Sequence, residues 1–126
     1  MTDYLTLVEV LSIHADQIEK YGGSEGVRDF GQLESALFRP QTGYYKDLIE
    51  QAAALWESLA QNHPFIDGNK RTAFAVTYTF LVLNDVQLTA SAEETFTFIS
   101  SLYESGTFEF FCLSEWLREN TTIKSF

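Results

Sequence analysis

The stretch Thr72–Leu83 constrains this chain more than any other part of it. Ala73, Phe74, Val76, Phe80, Leu81 and Leu83 leave it without a clear polar face. A helix of that kind must lie at the buried centre of a fold, and at twelve residues it is too short to cross a bilayer. The other segments have to pack around it. With 126 residues and 14.3 kDa there is room for one core only, so a single domain over 1–126 is expected. A hydrophobic content of 45%, with 15% aromatic, is enough to fill that core.

The remaining periodicities are helical. Leu7, Val10, Leu11, His14 and Ile18 form one stripe of a helix from about Tyr4 to Lys20, stopped by Gly22-Gly23. Asp29 is placed to cap a short helix, Gln32–Phe38, that ends before Pro40. A third helix, about Asp47–Gln61, turns Leu48, Ala52, Leu55, Trp56 and Leu59 inward. Ser91-Ala92-Glu93-Glu94 reads as a capping box for a helix reaching Tyr103, and a last helix spans about Glu109–Glu119. Strand signals are weak, and the fold class expected is all-α: a compact helical bundle around a buried central helix.

Charge narrows the partners. A net charge of −10 repels phosphate backbones, so nucleic acid is a poor partner and a basic protein segment a better one. A single cysteine, Cys112, rules out an intrachain disulfide and suits a reducing compartment. The first residues lack the basic and apolar regions of a signal peptide. A soluble, cytoplasmic protein with no membrane partner is expected.

Chemistry concentrates in His63-Pro64-Phe65-Ile66-Asp67-Gly68-Asn69-Lys70-Arg71. The segment feeds a helix N-terminus, where N–H groups lack intrahelical acceptors and anions bind. The helix dipole disfavours Lys70 and Arg71 at that end, a placement that makes sense if an anion sits there. Gly68 lets a phosphate approach the backbone closely. Asp67 is a lone carboxylate beside those donors, which suits Mg²⁺ held jointly with phosphate oxygens. His63, near neutral pKa as a residue type, is able to take a proton from an attacking hydroxyl. Pro64 stiffens the chain after it, and Phe65 reads as a core anchor.

These nine residues fill every specified position of the pattern His-x-Phe-x-Asp/Glu-Gly/Ala-Asn-Gly/Lys-Arg, and so resemble the Fic/Doc family. Tyr21-Gly22-Gly23, Leu33-Glu34-Ser35-Ala36 and Arg39-Pro40-Gln41 look like its Doc (death-on-curing) branch. That resemblance implies a toxin of a toxin–antitoxin pair, with a Phd-like antitoxin as partner and a target protein such as a translation elongation factor. It makes His63 the general base and Asp67 the Mg²⁺ ligand. Gly68, Asn69, Lys70 and Arg71 become the residues that hold the phosphates of ATP. Fic proteins that transfer AMP usually have glycine at the position of Lys70; the Doc branch has lysine there and is associated with transfer of the γ-phosphoryl group. Phosphoryl transfer to a protein hydroxyl is therefore expected. AMP or another NMP transfer is the alternative within enzymes, and a non-catalytic binding module the alternative outside them.

Other residues have plainer readings. A zinc site is weaker than a Mg²⁺ site, because His63 and Asp67 are two ligands and Cys112 lies far off in sequence. His14, on the apolar stripe of the first helix, reads as a structural histidine, with a polar edge to the substrate cleft as the alternative. Trp56 and Trp116 read as core anchors. Arg39–Tyr45 is either a flap that receives the target backbone by strand addition or a loop covering the core. The inhibitory pattern Ser/Thr-x-x-x-Glu-Gly/Asn of many Fic proteins is incomplete here. Ser100–Ser105 ends in serine, and the residue four before Glu119-Asn120 is Glu115. Inhibition by a separate antitoxin helix, docked in an apolar groove, is expected instead.

Overall fold

A computed structural model describes residues 1–124; the last two residues of the expected domain, 125–126, lie outside the described residues. Six helices follow in order: α1 (Leu7–Tyr21), α2 (Phe30–Phe38), α3 (Leu48–Gln61), α4 (Asn69–Leu83), α5 (Ala92–Ser105) and α6 (Phe110–Glu119). A 3₁₀ turn, Arg39–Gln41, continues α2. The mostly helical architecture is as expected. The exception is a small antiparallel ribbon of β1 (Val86–Leu88) and β2 (Thr121–Ile123), with Gln87 opposite Thr122. Three-residue strands carry too little alternation to announce themselves in sequence.

Caps set the helix boundaries, and they correct three of the expected starts. α1 begins at Leu7, not Tyr4, because Thr6 and Glu9 form a reciprocal capping box. Asp29 caps as expected, accepting from the Gln32 N–H, which makes Phe30 the first residue of α2. α4 starts at Asn69, three residues before Thr72, because Gly68 turns the chain with φ 74° and its carbonyl accepts from Thr72 N–H at 2.9 Å. The Ser91–Glu94 capping box is present as read. α6 has no side-chain cap of its own. Glu57, on α3, accepts from the Phe110 N–H at 2.7 Å and binds Arg39 with its other oxygen, also at 2.7 Å. One carboxylate thus ties the 3₁₀ turn, α3 and α6 together.

The core forms where α3 meets α4 and α6, with α1 against the other side of α4 and α2 against α3. Trp56 is 1% exposed at its centre and touches the rings of Phe74, Phe98, Phe108 and Trp116. Ala52, Ala53, Ala54 and Ala60 let the helices approach closely around it. Truncating such a buried indole to alanine costs about 3–5 kcal/mol. α4 buries Thr72, Ala73, Val76, Thr77, Phe80 and Leu81, while Tyr78, Val82 and Leu83 are exposed on its remaining flank. The N-terminal half of α4, with α1 and α5, bounds an open apolar groove of about 1010 Å³ containing Ile13, Phe74, Tyr78, Phe96, Ile99 and Tyr103. Among the described residues no helix is long and apolar enough to cross a membrane.

Candidate active site

The segment Asn62–Gly68 leaves the end of α3 and enters α4, and the chain between α1 and α2 straps it down. Val27 pairs with Phe65 in an isolated antiparallel bridge, and Ile66 N–H donates to Gly26 O at 3.1 Å. The N–H groups of Arg28 and Asp29 both donate to Pro64 O, at 2.8 and 3.1 Å. The Arg28 guanidinium adds Nε to His63 O at 2.6 Å and Nη2 to Asn62 O at 2.9 Å.

His63 itself has a left-handed backbone, φ 48°. It stands one residue beyond the Asn62 cap of α3, a place where glycine is usual. A side-chain-bearing residue there costs about 1–2 kcal/mol, which surrounding contacts must offset. The His63 side chain is exposed. Phe65, by contrast, is 1% exposed and anchors the loop as read.

Asp67 is exposed, and two backbone N–H groups converge on its carboxylate: Gly68 to Oδ1 at 2.8 Å and Ser24 to Oδ2 at 3.1 Å. First the Ser24 and then the Gly68 hydrogen bond hold this carboxyl below its ordinary value, with the Arg71 charge assisting, so it is ionised at neutral pH. The approach of Ser24 depends on Gly23, where a Cβ would stand 2.7 Å from Asp67 Oδ2 and the backbone has φ 122°. From beneath, the buried His14 donates Nε2–H to Asp67 O at 2.8 Å; a carbonyl only accepts, so the proton belongs to this nitrogen.

The donors of α4 face the same place. Its first intrahelical bond is made by Thr72, so the N–H groups of Asn69, Lys70 and Arg71 precede the hydrogen-bonded ladder. Arg71 Nη2 donates to Gly22 O at 2.8 Å. Lys70 Nζ lies over the Tyr103 ring, 4.1 Å from its centroid, and burial pushes that phenol up to about 12, so the ring stays neutral. Among the described residues neither cation forms an ion pair. Asn69 turns inward: Phe65 N–H donates to Oδ1 and Nδ2 donates to Phe65 O, each at 2.9 Å. Its amide closes the loop, and its backbone N–H is what it presents at the helix terminus.

The structure therefore gathers His63, Asp67, Gly68, Lys70 and Arg71 around one loop and helix terminus. The expected alternatives for His14 resolve toward structure, since its imidazole is buried against the loop. Trp56 and Trp116 are core residues. Arg39–Tyr45 splits: Arg39 and Tyr45 bond each other at 2.6 Å and Pro40 is buried, whereas Tyr44 is 84% exposed. Gly23, Ser24, Arg28 and Tyr103 adjoin these residues; in sequence Gly23 reads only as a helix stop and as part of the family resemblance, and nothing in the local sequence marks the other three. Among the described residues no cluster of three or more His, Cys, Asp or Glu side chains is able to hold a metal. A single ionised carboxylate with lone pairs to spare is nonetheless a donor set that Mg²⁺ accepts when phosphate oxygens complete it.

The loop carries His63 and Asp67 in this order ahead of the α4 terminus, and the chain belongs to the Fic/Doc family: the family model matches residues 4–81, from Tyr4 to Leu81 within α4. Within the family it belongs to the Doc branch. It is 50% identical over 95 residues to "Toxin Doc" of Mycolicibacterium smegmatis, covering 71% of each chain. It is 37% identical over 89 residues to "Protein kinase doc" of Escherichia phage P1, covering 68% of this chain and 71% of that one.

Proposed function

We propose that this chain is a Doc-type toxin that transfers the γ-phosphoryl group of ATP to a hydroxyl of a target protein, a translation elongation factor being the candidate class. One observation carries the reading. Among the described residues Lys70 and Arg71 form no ion pair in the first turn of α4, beside the ionised Asp67. The similarity to a phage protein named as a kinase points the same way.

In this reading the chain's residues divide the work. The N–H groups of Asn69, Lys70 and Arg71 receive phosphate oxygens, and the two side-chain cations neutralise the charge that spreads over them. Asp67 would hold Mg²⁺, which supplies charge neutralisation between phosphates when bound. The exposed His63 imidazole takes the proton of the attacking hydroxyl, so that the new O–P bond forms as the bond to the ADP leaving group breaks. Gly68 is there for the turn into α4: its backbone has φ 74°, and a Cβ would stand 3.0 Å from Ile18 Cδ1 and 3.3 Å from Arg71 Nη2 rather than in open space.

The partner that silences the site is proposed to be an antitoxin, Phd-like in its use of an amphipathic helix. The groove between α1, α4 and α5 supports this, since it is largely apolar, open and has Lys70 and Arg71 in its wall. Purified protein incubated with a lysate and either α- or γ-labelled ATP tests the reaction. Label on protein from γ only, lost in His63→Ala, supports phosphoryl transfer; label from α shows AMP transfer instead; label from neither shows a binding module. A cytoplasmic site of action accords with the use of ATP.

A further inference from the structure

We infer that Arg28 is a positioning residue for His63, acting through the backbone, and that its fork holds the imidazole in the attitude transfer requires. The inference rests on the reading of His63 as the general base. It goes beyond that reading by assigning a determinant outside the nine-residue loop, on the chain between α1 and α2.

Three observations converge. Arg28 engages the carbonyls of three consecutive residues: its N–H takes Pro64 O, its Nε takes His63 O and its Nη2 takes Asn62 O. These carbonyls lie at and beyond the C-terminus of α3, where no intrahelical donor reaches and the helix dipole favours a cation. Second, the residue at the centre of this fork is the one with φ 48°, a left-handed backbone that a residue with a side chain holds only at a cost. Third, the next residue, Pro64, cannot adjust its own φ, so a change at His63 swings the chain on both sides.

A guanidinium is suited to this task because its donors are fixed in one plane and reach two carbonyls at once. Lysine at the same place carries the charge on a single freely rotating point. The side chains that receive phosphate in the proposed reaction lie on α4, beyond Asp67, and Arg28 makes no bond to them. Its loss should act on the proton transfer and spare nucleotide binding.

The experiment compares wild type, Arg28→Ala, Arg28→Lys and His63→Ala by steady-state transfer with labelled ATP, and by the backbone Cα, Cβ and N chemical shifts of His63. In Arg28→Ala, kcat should fall between about tenfold and a hundredfold, as small misplacements of a catalytic group do, while KM for ATP changes less than about twofold. Arg28→Lys should fall between the two. The His63 shifts should move away from their left-handed values in step with kcat. A general loss of folding would instead lower the active fraction without moving the His63 shifts of the folded protein, and that result overturns the inference. Unchanged kcat in Arg28→Ala beside an inactive His63→Ala also overturns it, leaving the base assignment intact. Full transfer by His63→Ala removes the base assignment and this inference with it.

Discussion

The imidazole of His14 lies flat on the ring of Phe65, with centroids 3.8 Å apart and planes within 4°, while its Nε2 donates to the carbonyl of Asp67. One buried side chain from α1 therefore supports both the Phe65 anchor of the loop and the backbone carbonyl of Asp67. His14→Phe keeps a ring for the stack and removes the donor, leaving a part-buried carbonyl unpaired. The expected cost is about 1–3 kcal/mol of stability, read as a lower midpoint in urea with an unchanged slope. His14→Gln, which can place an N–H near the same point, should recover part of it.

Asp67→Asn should abolish transfer together with the response to Mg²⁺, checked by titrating the metal against wild type and variant. If the two respond alike, Asp67 is not the metal ligand. Its titration has a definite sign as well. The Ser24 and Gly68 donors favour the ionised form and depress the folded-state value. Their contribution is present above the unfolded carboxylate value and is lost as pH falls through the lower, folded one. The Asp67 carboxyl, followed by NMR, should titrate below an ordinary aspartate, and Gly23→Ala should bring it back up.

Lys70→Gly should lose γ-transfer and gain α-transfer. The ammonium is suited to a terminal, highly charged phosphate, and its removal opens the backbone nest to a phosphate that bears a nucleoside. Parallel assays with the two labels check this. Loss of γ-transfer without any α-transfer would make Lys70 a phosphate ligand that does not choose the reaction.

Glu57→Ala should destabilise the fold by about 1–3 kcal/mol, because Arg39 and the Phe110 N–H both lose a charged, partly shielded acceptor. The folded protein should keep wild-type kcat, since Glu57 touches no residue of the loop. Chemical denaturation alongside the transfer assay separates the two effects.

Much of this was legible in the residues themselves. Asp29 and Ser91 are caps by type and position, and each caps in the structure; Asp47, read as the first residue of α3, is its cap instead. His63–Arg71 could be read because its residues are neighbours in sequence and act as neighbours in space. What escaped was long-range. The pairing of residues 23–29 with 62–68 joins segments more than thirty residues apart, and no local periodicity reports it. Asn69 has the right type for a phosphate contact, yet its amide spends both ends on Phe65. His14 shows only as one position on an apolar stripe, because a stripe reveals burial and not what is buried against it.

Asn84, at the C-terminal cap of α4, exchanges two hydrogen bonds with the backbone of Asp3, and Lys124 N–H donates to Asp85 O next to it. The fifteen residues of α4 separate this knot from the His63–Gly68 loop by about 22 Å. Residues near both ends of the described chain are thus gathered at one pole, and the His63–Arg71 loop stands at the other. A fluorophore or surface tether attached beside Asp3 or Lys124 would leave the pole of the His63–Arg71 loop facing away from it, free to meet a target as large as a folded protein.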